Sequence, residues 1–293
     1  LEYANDDVET QIQQIENMII RKCDIIIIGS IDGTKLTDVI KEAADAGVKI
    51  ISYDRLIMGS ENIDYYVTFD NYMVGALQGQ YIIDKLGLES NKGPFNLEII
   101  TGSPDDNNAL FFYNGAMEKL KPYIDSGVLK VKSGQTEFID ASTQKWDTTV
   151  AAERMERIIN LYNSDEKIDA VLSSNDSCAM GAIKAFEKAG YGTQDKPFPI
   201  LTGQDCDKLN VMAILEDKQS MSVFKDTRDL AIKTVEMTEN ILKGNDVEIN
   251  DNESYNNGKK VIQSYLCNPI YVDKNNYKDV LISSGYYAEE DIK

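Results

Sequence analysis

Along the chain, short apolar runs alternate with stretches in which apolar residues recur every three or four positions. Asp24 to Ile28 reads DIIII and stops at Gly29, the pattern of a strand buried on both faces. Leu36, Val39, Ile40 and Ala43 then share one helical face, and Gly47 ends that helix. VKIIS (48–52) and YYVTF, which ends before Asp70, read as strands, and a helix carrying Leu77 and Tyr81 stops at Gly87.

The pattern continues through the strand NLEII ending at Ile100, a helix from about Asn107 past Met117, and the strand VLKV (128–131). Ala151, Met155, Ile158 and Tyr162 mark a helix face, IDAVLSS a strand, and Ala179, Ala182, Ile183 and Phe186 a further stripe closed by Gly190. FPILTG and MSVF are strands, and Ala231, Val235 and Leu242 line a helix that ends at Gly244. Such a βαβ series predicts an α/β protein whose parallel sheets are covered by helices. It has too many units for one doubly wound sheet, so two are expected. Gly244 to Lys260 is polar and reads as a surface excursion, and the tail from Val261 through PIYV to a helix near Tyr277 is β-rich.

A length of 293 residues agrees with two domains, and 42% hydrophobic against 27% charged residues is the balance of a globular protein. Forty-nine acids against thirty bases leave a net charge of −19, which repels a polyphosphate backbone and argues against nucleic acid as a partner. The chain has no histidine, which removes Ser-His-Asp and Cys-His catalysis and the commonest zinc sites. Its four cysteines form no CxxC and are expected to be buried free thiols. No apolar run approaches the roughly 20 residues that cross a bilayer. The chain opens on LEYANDDVETQ without Met, basic region or signal peptide, and is therefore expected to be processed or truncated.

Ligands of open parallel sheets bind beyond the carboxyl ends of the strands. Here those ends carry Tyr53, Asp54 and Arg55; Asp70 and Asn71; Asp105, Asp106, Asn107 and Asn108; Asn175 and Asp176; Gln204 and Asp205; and Lys225 and Asp226. Asp and Asn at such places also cap helices, and for any single one of them capping is the stronger explanation. Six strand ends together, with Arg55 and Lys225 supplying cations that caps do not need, point instead to a polar ligand site. Trp146, the only tryptophan, follows the polar stretch DASTQK and offers a ring that can lie under the C–H face of a sugar. Phe111 and Phe112 read as core.

Other chemistry finds no support. GSIDGTK lacks both GxGxxG and GK[ST], and GNDVEINDNES lacks the EF-hand spacing, so neither a cofactor nor a metal is expected. Asp105 and Asp106 are adjacent and point in different directions, which is poor ground for a carboxylate pair. No catalytic residue is predicted.

The runs QIQQIENMI, YDRLI, FDNYMVGALQ, TGSPDDNNA, KPYIDSG, SSNDSCAMGAI, TGQDCD and MSVFKD resemble, in order and over nearly the whole chain, the periplasmic sugar-binding proteins of the ribose/galactose-binding class. Within that class the resemblance runs to the D-xylose-binding branch of ABC transporters. It implies a type I periplasmic binding protein: two Rossmann-like lobes joined by a three-stranded hinge, with the sugar clamped between them. The lobes would be residues 1–102 plus 226–264 and 103–225 plus 265–293. The first lobe would lack its initial βα unit, LEYAN corresponding to the family's second strand. By similarity Arg55, Asp106, Asn108, Asn175, Asp205 and Lys225 would hydrogen-bond sugar hydroxyls and Trp146 would stack on the ring. The resemblance further implies an exported protein, in the periplasm or tethered outside the membrane. It would deliver a monosaccharide, expected to be D-xylose, to an ABC permease or, alternatively, dock on the extracellular domain of a membrane sensor kinase. A sugar-acting Rossmann-like enzyme is the weaker alternative, since no nucleophile, base or cofactor loop stands out.

Overall fold

A computed structural model describes residues 1–90 and 93–292. The chain begins with α1 (Val8–Ile20), β1 (Ile25–Ile28), α2 (Thr37–Asp45), β2 (Lys49–Tyr53), β3 (Tyr65–Phe69) and α3 (Asn71–Leu86). Next come β4 (Phe95–Ile100), α4 (Asn107–Asp125), β5 (Leu129–Lys130), α5 (Thr148–Tyr162), β6 (Ala170–Ser173) and α6 (Asp176–Lys188). Then follow β7 (Ile200–Leu201), α7 (Lys208–Leu215), β8 (Met221–Phe224), α8 (Thr227–Lys243), β9 (Ser264–Cys267) and β10 (Ile270–Asp273), and after them short helical segments at Lys278–Ile282 and Glu289–Ile292.

These elements form two compact units. The first comprises Leu1–Asp70, Asp105–Asn108 and Asp226–Asn268. Its sheet is parallel throughout, in the order β1-β2-β3-β9. Ile51, Val67 and Phe69 meet Leu230 and Met237 of α8 on one face, while α1 packs on α2. The second unit comprises Asn71–Pro104, Ala109–Lys225 and Pro269–Lys293. Its sheet, also parallel, runs β5-β4-β6-β7, beside an antiparallel pair of β8 and β10. Successive residues of β4 and β6 alternate between two cores. Ile99 and Leu172 pack with Ile82 of α3 and Leu120 of α4, whereas Ile100 and Val171 pack with Met155 of α5 and Ala182 of α6. A sheet covered on both faces is why these strands read as unbroken apolar runs.

Four features differ from the sequence reading. First, the boundary expected at residue 102 places α3 and β4 in the wrong sheet environment: β4 pairs with β5 and β6. α3 lies so close to α4 that a Cβ on Gly75 would fall 1.8 Å from the Phe112 carbonyl oxygen, and one on Gly115 2.0 Å from that of Tyr72. At the other boundary, β9 pairs with β3 and belongs with the first unit. Strand pairing is a long-range fact that local periodicity does not contain. Second, Leu1–Asn5 is not a strand; among the described residues no ladder neighbour pairs with it, and only Ala4 is buried. Third, α8 turns the stripe of Ala231, Val235 and Leu242 outward, Val235 and Leu242 being 57% and 60% exposed, and buries Leu230, Thr234 and Met237 instead. The helix carries two apolar stripes, and contact with β3 and β9 selects one.

Fourth, the polar excursion of 244–260 is anchored near its C-terminal end. Asn257 is fully buried, and its Nδ2 donates to the carbonyls of Ile57 (3.1 Å) and Ser60 (2.7 Å). Its Oδ1 accepts from the amides of Lys259 and Lys260, both at 3.1 Å. Asn257→Ala is expected to orphan two buried carbonyls and lower stability by about 2–3 kcal/mol, read by denaturant unfolding. A change under about 0.5 kcal/mol, the size of an ordinary surface substitution, would show that the excursion is not anchored there.

The expectation of buried free thiols holds at three of the four cysteines. Cys178, Cys206 and Cys267 are buried free thiols, and Cys23 is a partly buried one. No helix among the described residues is long and apolar enough to cross a membrane.

Candidate functional site

Three of the seven candidate side chains lie together in the first unit. Asp54, after β2, adopts a left-handed φ of +61°. Its carbonyl lies 2.7 Å from the Tyr66 hydroxyl, 2.9 Å from Thr68 Oγ1 and 2.8 Å from Asn108 Nδ2. Three donors converging on one carbonyl fix the turn that launches Arg55. Arg55 Nε then meets Asp106 Oδ2 at 3.1 Å, and Nη1 donates to the Ile31 carbonyl at 3.0 Å. Among the described residues Nη2 donates no hydrogen bond, so one end of the guanidinium fork stays available. Asp106 is nearly buried, and its Oδ1 also accepts the Asn108 amide (3.0 Å) at the start of α4.

The Tyr66 hydroxyl lies 3.0 Å from Asn108 Oδ1, so both ends of that amide are oriented by neighbours. Burial pushes the Tyr66 phenol well up, keeping it protonated as a donor. The edge of its ring meets Tyr255 at 5.2 Å and 70°, which ties the anchored excursion to the candidate site.

The other four lie in the second unit. Asn175 follows β6 and caps α6, its Oδ1 accepting from Cys178 N at 2.9 Å. Among the described residues its Nδ2 makes no hydrogen bond, so capping and ligand contact are compatible uses of one side chain. Asp205 follows β7, and Lys225 follows β8; Lys225 Nζ lies 3.0 Å from Asp205 Oδ1. The same ammonium stands 5.5 Å from the centre of the Phe112 ring, which meets Trp146 edge-on at 6.3 Å and 61°. Trp146, Phe112, Lys225 and Asp205 thus form one continuous strip, aromatic at one end and ionic at the other.

Trp146 sits where it does because the chain carries a glycine two residues beyond β4. A Cβ on Gly102 would lie 1.9 Å from the indole Cη2. The loop is pinned by Thr143 N to the Gly102 carbonyl (3.2 Å) and Lys145 N to Ser103 Oγ (2.8 Å), and Lys145 and Trp146 both have positive φ.

Each cation in these two sets has a carboxylate partner, so the exposed chemistry is hydrogen bonding by charge-assisted but locally neutralised groups. That suits an uncharged polar guest. Thiol nucleophiles are disfavoured, since burial pushes Cys178 up to about 12 and Cys206 upward as well. No cluster able to hold a metal occurs among the described residues. A cavity of about 530 Å³ in the first unit, walled by Lys49, Asp64 and Tyr65, opens at the amino ends of β2 and β3 and contains none of the seven.

Sequence reasoning passed over three contributors. Tyr66 was hidden in a strand that read as core, although its alternation with Tyr65 marks it as facing the opposite side. Gly102 sits in TGSPDD beside the chosen Asp106, but only the Trp146 contact reveals its purpose. Asp176 stood in the strand-end set beside Asn175 and was not carried forward; it is completely buried.

The chain was compared with known proteins. Residues 1–246 match the family described as periplasmic binding protein domain. The multiple sugar-binding periplasmic protein SbpA of Azospirillum brasilense is 50% identical over 293 residues, covering 100% of this chain and 82% of that one. The D-xylose-binding periplasmic protein of Escherichia coli K12 is 38% identical over 289 residues, covering 99% and 81%. An ABC transporter solute binding protein from Clostridium phytofermentans, solved with bound β-D-glucose, superposes with a TM-score of 0.95 at 53% identity, covering 100% of this chain and 90% of that one. The two Rossmann-like parallel-sheet units, the family match and these similarities agree: the chain belongs to the periplasmic binding proteins, in the company of sugar-binding members.

Proposed function

We propose that this protein is an extracytoplasmic receptor for a neutral aldopyranose, D-xylose or D-glucose, which it presents to an ABC permease. The observation that carries the reading is the pairing of charges. Arg55 with Asp106 and Lys225 with Asp205 offer strong directional hydrogen bonds without a net charge that would select an ion. The open Nη2 of Arg55 and Nδ2 of Asn175 are donors for hydroxyl oxygens, and the Trp146 ring supplies an apolar face for sugar C–H groups. Relatives named for D-xylose and for multiple sugars, and a similar structure holding β-D-glucose, support the choice of aldopyranoses. These two sugars differ by one hydroxymethyl group, a difference worth only about 1–3 kcal/mol in a pocket, so both are candidates.

Calorimetric titration against xylose, glucose, galactose, arabinose and ribose tests this directly. Xylose or glucose is expected to bind best, and at 100 times its dissociation constant to add about 2.7 kcal/mol to stability, visible as a thermal shift. Absence of heat and of any shift across the panel would overturn the proposal. Turnover of a bound sugar would replace it with the enzyme reading.

A further inference from the structure

Asp176, the first residue of α6, is fully buried and has no cationic partner among the described residues. Neutral donors surround its carboxylate instead. Oδ1 accepts from Gln219 Nε2 at 2.9 Å, Oδ2 accepts from the Asp207 amide at 2.9 Å, and the Ser222 hydroxyl lies 2.9 and 3.0 Å from the two oxygens. The helix N-terminus adds a favourable dipole. The fit around it is close: a Cβ on Gly203 would lie 2.1 Å from Oδ1.

Burial pushes the Asp176 carboxyl well above the usual carboxylate range, so a charge there is costly, and the question is what this buried group holds. It holds the turn that carries Asp205. Asp205 and Cys206 have φ of +98° and +54°, a left-handed pair without glycine that persists only when its surroundings impose it. Asp176 supplies much of that constraint. Its Oδ2 takes the Asp207 amide directly, the Ser222 hydroxyl it engages takes the Cys206 amide at 3.0 Å, and its own amide donates to the Gln204 carbonyl at 3.0 Å. Asn175 precedes it in the chain, and Ser222 lies on β8, the strand that ends just before Lys225.

We propose that Asp176 is a positioning residue: its carboxylate imposes the left-handed turn at Asp205–Cys206 and thereby sets the Asp205–Lys225 pair that the preceding section assigns to the sugar. This rests on that functional reading, and it makes a buried residue with no access to ligand a determinant of affinity. The substitution Asp176→Asn keeps shape but presents an NH2 group to surrounding donors, so at least one N–H loses its acceptor.

The test is a double-mutant cycle of Asp176→Asn and Asp205→Asn, with sugar affinity read by calorimetry. Asp176→Asn is expected to weaken binding at least tenfold, and to add little once Asp205 has been changed, because both act through the same group. Additive losses, or an unchanged dissociation constant in the folded variant, would overturn the proposal. Should Asp176→Asn not fold, Ser222→Ala takes its place in the cycle and decides by the same criterion. A crystal structure of the folded variant separates this inference from the functional one. Lys225 and Asp205 still 3.0 Å apart would refute the positioning role whatever the protein binds, whereas separation of the pair in a protein that binds no sugar would uphold it and refute the functional reading.

Discussion

Gly102→Ala is expected to weaken sugar binding as severely as removal of the Trp146 ring, although alanine touches no ligand. The added Cβ would lie 1.9, 2.3 and 2.4 Å from three indole carbons, so the ring must leave its seat. The two pinning bonds from Thr143 and Lys145 oppose a small adjustment. Losing an aromatic platform costs about 1.4–3 kcal/mol, from stacking and from apolar area no longer covered, which is roughly ten- to over a hundredfold in dissociation constant. Because Trp146 is the only tryptophan, its fluorescence reports this place alone. The emission of the native protein should change on adding sugar, and that of Gly102→Ala should already be displaced without it. An alanine variant with native emission and native affinity would mean that the indole has no part in binding.

Arg55→Ala should act on both stability and affinity. The guanidinium is 34% exposed, but the Asp106 side chain it meets is only 6% exposed. Removing the cation therefore takes the charge partner from a nearly buried carboxylate, which keeps the Asn108 amide, and removes the donor to the Ile31 carbonyl. Stranding a fully buried charge costs 3–5 kcal/mol, and partial exposure of the arginine brings the expected loss to about 2 kcal/mol. Changing Asp106→Asn in the same chain should recover part of that stability, because the stranded charge is gone, without restoring affinity, because the guanidinium donors are gone. Denaturant unfolding and calorimetry on the single and double variants separate the two effects. Equal stability of Arg55→Ala and the native chain would show that water already satisfies Asp106.

The contrast between Asn175 and Asp176 shows how far local reading reaches. Both follow β6 and both suit a helix start, so spacing ranks them equally. In three dimensions one keeps an amide group that makes no hydrogen bond among the described residues, and the other is enclosed by Gln219, Ser222 and Asp207 from segments more than thirty residues away. Trp146 makes the same point. Its type suggested stacking, but its seat depends on a glycine forty-four positions earlier and on Phe112 of another helix.

Strand order and domain membership show the same division. Alternating β and α patterns, buried apolar runs and polar strand ends are local properties, set by side-chain periodicity and by the rule that parallel strands end at the ligand side. From them came the α/β class, the covered parallel sheets and the strand-end set that contains six of the seven candidate side chains; the family resemblance singled out the seven, and the absence of histidine narrowed the chemistry. Pairing of β4 with β6, burial of Leu230 rather than Val235 on α8, the anchoring of Asn257 and the hidden carboxylate of Asp176 arise from contacts between distant segments. Their free energy depends on which surfaces meet, and no window along the chain contains both partners.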